Sequence, residues 1–134
     1  NNDYELVLFE TESHTGSPIY HTDVLMYVGT DIIGICLDVI KPEHRDYVEE
    51  KVNAHHKVIE LTPEQIQNFC GNAIEAKNNN NELFLIISST AFNALNQDQK
   101  EQLLKSYKDI IHSDIPTIEK YGGGSARCML TELF

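Results

Sequence analysis

Residues 20–61 read YHTDVLMYVGTDIIGICLDVIKPEHRDYVEEKVNAHHKVIEL, and this stretch carries one complete structural unit. Tyr20 to Val28 has the apolar character of a strand. Gly29-Thr30-Asp31 is turn chemistry, and Ile32 to Val39 is rich in β-branched residues, so the two runs predict a hairpin. Pro42 suits the first turn of a helix, where its missing N–H is not needed. Glu43 to Ala54 then predicts a helix with Tyr47, Val48 and Val52 as its apolar stripe, and His56 to Leu61 returns as a strand. The order is strand–strand–helix–strand.

The same order follows once more. Thr62 with Gln65 forms a capping signature, with Pro63 at the first helical position, and opens a short helix to about Phe69. Gly71 to Ala76 and Leu83 to Ile87 predict a second strand pair, joined by the polar tip Asn78 to Asn81. Asn96 with Gln99 is a second capping signature, ahead of a helix to about Tyr107 that buries Leu103, Leu104 and Tyr107. Asp109 to His112 is a strand, and Ile115 to Tyr121 a short helical or turn segment. One strand is left over at each end, Tyr4 to Glu10 and Arg127 to Phe134. Repetition of one supersecondary unit with little identity between copies predicts an α/β repeat architecture. No linker divides the 134 residues, so one unit is expected, unclosed on its N-terminal side.

Composition excludes several function classes. The formal net charge of −11 opposes a general nucleic-acid surface, which needs clustered cations to replace counterions. No apolar run approaches the ~20 residues of a membrane span, and no secretory leader is recognisable at the N-terminus. The three cysteines, Cys36, Cys70 and Cys128, form no close pair and no C-x-x-C, which points to a reducing cytoplasm rather than a disulfide or zinc framework. Cys36 and Cys70 read as structural. The adjacent His55 and His56 point apart and do not suit a shared metal.

Two segments hold residues suited to chemistry. Gly122-Gly123-Gly124 precedes Cys128 and a predicted strand, not a helix, so neither a dinucleotide nor a phosphate loop fits. Three glycines in succession allow unusual backbone angles and close ligand approach. They deliver a cysteine that is reactive if a base or cation lies near. Tyr20-His21-Thr22-Asp23 offers that base. On a strand, His21 and Asp23 share one face. Asn72, following Gly71, is a further candidate for lining the site.

The ordered pair, His21-x-Asp23 and a glycine-rich Cys128-Met129 segment near the C-terminus, resembles the arginine deiminase and amidinotransferase superfamily. Phe69 to Glu75, Ile111 to Glu119 and the final glycine-rich stretch resemble its arginine-deiminase-related citrulline-utilisation branch. The resemblance implies a pentein fold, a five-module α/β propeller, of which residues 1–134 are the C-terminal half: about two modules plus flanking strands. It implies Cys128 as nucleophile and His21 as acid–base partner, with Asp23, Gly123, Gly124 and Asn72 on the substrate. No cofactor is expected, and the chemistry is that of an amidinohydrolase or amidinotransferase. The substrate is a small guanidino compound such as arginine. An N-terminal half or a second copy is expected across the open edge. A non-catalytic binding module is the alternative from a different class.

Overall fold

The computed structural model describes residues 5–131. Two three-stranded sheets repeat one topology. In the first, β1 (Met26–Val28) pairs antiparallel with β2 (Ile32–Ile35), and β2 pairs parallel with β3 (Lys57–Glu60). In the second, β4 (Ile74–Lys77) pairs antiparallel with β5 (Leu83–Ser88), and β5 pairs parallel with β6 (Asp109–Ser113). A parallel neighbour needs a crossover. Helix α2 (Pro42–Asn53) supplies the first, and α4 (Ser89–Ala94) with α5 (Gln97–Leu103) supplies the second. The chain is therefore α/β with repeated strand–strand–helix–strand modules, as the pattern predicts.

One apolar cluster runs through both modules, from Leu25, Ile33 and Ile35 to Leu85, Ile87, Leu103 and Ile110. The strand pair β1–β2 is close because Tyr27 lies opposite Gly34. Any Cβ at Gly34 would strike the Tyr27 ring. The modules are also tied by the capping glutamines. Gln65 and Gln99 each close a capping box at the start of a helix, α3 (Pro63–Gln67) and α5. Their amides then bond each other in the interior, Gln65 Nε2 to Gln99 Oε1 at 2.7 Å and Gln99 Nε2 to Gln65 Oε1 at 3.0 Å. Each also donates to a backbone carbonyl of a neighbouring segment, Ala94 or Glu60. A buried amide fully satisfied in this way fixes register as well as contributing stability.

Several expectations change, among them the run Ile32 to Val39, which is a strand only over Ile32–Ile35 and then a 3₁₀ turn over Leu37–Val39. Tyr20 to Val28 is not one strand: Thr22–Leu25 forms a single helical turn, α1, and only Met26–Val28 pairs. Residues 5–10 have no regular structure; Val7 and Phe9 pack against the core, ion pairs join Glu5 to Lys51 and Glu10 to Lys41, and a bridge joins Thr11 to Ile40; Tyr4 of that expected strand lies outside the described residues. The expected last strand begins as a 3₁₀ turn, Arg127–Met129, and residues 132–134 lie outside the described residues. Leu104, expected in the core, is half-exposed. It follows α5 as its C-cap residue and turns outward. Residues 115–121, read as helix or turn, form α6 (Pro116–Gly122).

Candidate active site

The site forms where the turn before β4, the helical turn α1 and the segment after α6 meet. Gly71 makes the approach possible. A Cβ there would collide with the backbone of Val24 and Leu25, so only glycine lets the turn lie against α1. The next residue, Asn72, is then delivered against Asp23. The amide of Asn72 donates from Nδ2 to the Asp23 carbonyl at 3.2 Å and to Asp23 Oδ2 at 3.4 Å. It also stands 3.2 Å from Cys128 Sγ.

The cysteine arrives from the other side. Helix α6 ends at Gly123, which takes the left-handed conformation (φ 70°) as its C-cap. That is the setting in which glycine is preferred. Gly124 is needed for a different reason: a Cβ would come within 2.9 Å of Cys128 Sγ. Past the glycines, Asn72 captures the backbone. Its Oδ1 accepts from the N–H of Ser125 at 3.0 Å and of Cys128 at 3.4 Å, and its carbonyl accepts from the N–H of Arg127 at 3.3 Å. These N–H groups point at one residue instead of at a sheet neighbour, so the segment is a tight turn and not a strand.

A buried carboxylate braces this turn. Glu119 of α6 accepts from Ser125 Oγ at 2.7 Å and Thr90 Oγ1 at 2.7 Å. Burial pushes its carboxyl up, but the hydroxyls of Ser88, Thr90 and Ser125 outweigh that and hold it below the usual carboxylate range. Glu119 ends a segment that carries the family resemblance, but nothing in the sequence assigns it this role; its partners lie 29 and 6 residues away.

Cys128 is exposed, and its sulfur lies 3.6 Å from Asp23 Oδ2. Cys36 and Cys70 are buried and unpaired. Burial pushes both thiols up, Cys70 to about 12, so neither is a nucleophile near neutral pH. Beside Asp23 opens a cavity of about 570 Å³, lined by Asp23, Tyr27, Thr30, Glu75 and Arg127 among others. Thr30 closes one part of its wall by donating its N–H and hydroxyl to Glu75, across the two modules.

His21 stands differently from expectation. It is the N-cap residue of α1, exposed, with its ring edge-on to Tyr20 at 5.8 Å between centroids. Alternation along a strand does not relate it to Asp23, because Asp23 lies in the first helical turn. Among the described residues no hydrogen bond joins His21 to Cys128 or Asp23. The structure thus brings Cys128, Asp23, Asn72 and Gly124 together and leaves His21 at the edge of the same turn. Also among the described residues, no group of three or more His, Cys, Asp or Glu is placed to hold a metal ion, and no helix is long and apolar enough to cross a membrane.

The family described as N,N dimethylarginine dimethylhydrolase, eukaryotic, matches residues 1–134. The chain belongs to the dimethylarginine dimethylhydrolase family. That sets it in the guanidino-group-modifying pentein superfamily, in agreement with the resemblance read from His21, Asp23 and Cys128. No curated protein matches the chain. Among solved structures, apo ArgZ, an arginine dihydrolase from the ornithine–ammonia cycle in cyanobacteria, is similar over 85% of this chain and 17% of its own, at 19% identity and a TM-score of 0.62. The N-terminal domain of ArgZ bound to product is similar over 82% of this chain and 36% of its own, at 18% identity and a TM-score of 0.57. Both likenesses establish the pentein fold of this member of the dimethylarginine dimethylhydrolase family, which spans a minor part of either solved chain.

Proposed function

We propose that this chain carries the nucleophile half of a cysteine hydrolase acting on the guanidino group of an arginine derivative. The observation that supports the reading is the contact between an exposed cysteine and a carboxylate, Cys128 Sγ to Asp23 Oδ2 at 3.6 Å, where Asp23 also lines the wall of an open cavity. A guanidinium is planar and cationic, and a carboxylate binds it through charge-assisted hydrogen bonds that fix its plane. Asp23 would hold it with the central carbon over Cys128, and Gly123 and Gly124 leave room for that approach.

The chemistry then follows. The Cys128 thiolate adds to the central carbon, forming a C–S bond. The bond from that carbon to the departing nitrogen breaks, and the nitrogen leaves as an amine with a proton from His21. The enzyme is left as an S-alkyl thiouronium. Water attacks the same carbon, giving a proton to His21, and the C–S bond breaks to restore the thiolate. The sum is guanidinium plus water to a ureido product, citrulline for an arginine substrate, and a protonated amine. An acceptor amine in place of water would make the reaction an amidino transfer; the family description, a hydrolase, favours water.

Methylated arginine is the first substrate to test because this is a dimethylarginine dimethylhydrolase family, and arginine the second because the similar ArgZ is an arginine dihydrolase. The rest of the substrate site is proposed to come from further modules of the ring, in the same polypeptide or a second copy. Three free thiols suit a reducing cytoplasm. Incubating the complete protein with each compound and measuring ureido product and released amine tests the reading. Equimolar formation of the two is expected; no turnover of any guanidino compound would overturn it.

A further inference from the structure

We infer that Asn72 is a positioning residue for the nucleophile and not a contact for the substrate. The amide has two N–H donors and an oxygen with two lone pairs. All of these are used inside the protein. Nδ2 faces three acceptors, the Asp23 carbonyl at 3.2 Å, Asp23 Oδ2 at 3.4 Å and Cys128 Sγ at 3.2 Å. Oδ1 takes the N–H groups of Ser125 and Cys128. The residue is 4% exposed, so its side chain has neither a free valence nor an open face for a ligand.

The orientation of the amide is fixed by its surroundings. Backbone N–H groups at Ser125 and Cys128 demand an acceptor, and the carboxylate and the carbonyl of Asp23 demand donors. Exchanging O and N would oppose donor to donor and acceptor to acceptor on both sides. Asn72 therefore does two things at once. It sets the sulfur's position through the backbone of its own turn, and it places a donor where a thiolate and a carboxylate would otherwise face each other at 3.6 Å. Two like charges that close repel strongly in a partly desolvated site, and a shared N–H donor offsets that.

The side chain that separates the two functions is aspartate at the same position. Asn72→Asp keeps an acceptor for the backbone N–H groups and replaces the donor by a third negative charge. The test is made on the full chain with iodoacetamide, a neutral alkylating probe, locating the label by peptide mass. It stands apart from the proposed reaction because it needs no turnover. Alkylation of Cys128 is expected to slow by about tenfold to a hundredfold, the worth of one hydrogen bond to an ion. Cys128 is already exposed, so loosening its turn gives the reagent little extra access.

Cys36 and Cys70 report folding in the same digest, since both are buried and should stay unlabelled. If Asn72→Asp labels them, Asn72→Ser, which removes the long donor without adding charge, decides the matter with the same expectation. Where the complete protein turns over a guanidino substrate, kcat should fall with KM little changed. An unchanged alkylation rate in a folded variant overturns the proposal, and so does a rise in KM at constant kcat, which would make Asn72 a substrate contact.

Discussion

The sulfur of Cys128 stands 3.6 Å from Oδ2 of Asp23, although 105 residues separate them in the chain. On the proposed function, the pair would give a cation a place to bind directly beside the nucleophile. Asp23→Asn keeps the shape but removes the charge. In the complete protein kcat/KM for a guanidino substrate should fall about tenfold to a hundredfold, the worth of a charge-assisted bond. Steady-state kinetics on both proteins checks this.

Cys128→Ser should abolish turnover, because an alcohol gives far less anion near neutral pH than a thiol does. The side chain is exposed, so unfolding free energy should shift by no more than about 0.5 kcal/mol. His21→Ala should lose about a hundredfold or more in rate with a similar indifference of stability. Product formation and urea unfolding, measured on the same preparations, distinguish lost chemistry from lost fold.

The buried glutamine pair predicts a coupling between the modules. Gln99→Leu takes from the Gln65 amide its partner across the modules and from the Glu60 carbonyl the Gln99 donor, at about 1–3 kcal/mol for a group left unsatisfied, while Gln65 keeps its bonds to Ala94 and Thr62. It also removes the α5 capping box. The double variant Gln65→Leu, Gln99→Leu should cost less than the sum of the single ones, because neither amide remains to be stranded. Urea denaturation of the four proteins supplies the cycle.

Glu119 predicts an acid-side dependence of stability. Its carboxyl is held below the usual range in the folded chain. A lowered folded value means a contribution that is fully present above the unfolded value, about 4.3, and is lost as pH falls through the folded value. Glu119→Gln removes the carboxylate acceptor of the Thr90 and Ser125 hydroxyls, so its stability should fall less steeply over that acid interval than the parent's. Thermal unfolding across the interval reads the difference in slope.

The sequence made the sheets and their connections legible because the information is local. The β-branched run at Ile32 to Ile35, Pro42 opening α2, and the capping pairs Thr62–Gln65 and Asn96–Gln99 each act within a few residues. The turn at Thr22–Leu25 was hidden because its apolar residues continue smoothly into β1, and a four-residue helix is too short to show a period. Its neighbour β2 ends at Ile35, leaving nothing for an extended Tyr20 to Leu25 to pair with beyond the bond from Cys36 N to Leu25 O. The stretch after Gly124 reads as a strand by composition, yet Asn72, more than 50 residues away, takes its N–H groups. Cys128 and Asp23 stand out by residue type, and Asn72 by its place after Gly71; that Asn72 holds the cysteine's turn, and that Glu119 and Ser125 brace it, depends on contacts no local pattern encodes.

If Cys128 is a nucleophile next to a guanidinium-binding carboxylate, its relative labelling rates should show both properties at once. A haloacetamidine carries the planar cationic head that Asp23 should recognise, whereas iodoacetamide is neutral. With label position read by peptide mass, the haloacetamidine should modify Cys128 faster than iodoacetamide does, and Asp23→Asn should erase most of that preference. Equal rates for the two reagents, or a preference that survives Asp23→Asn intact, would contradict the account.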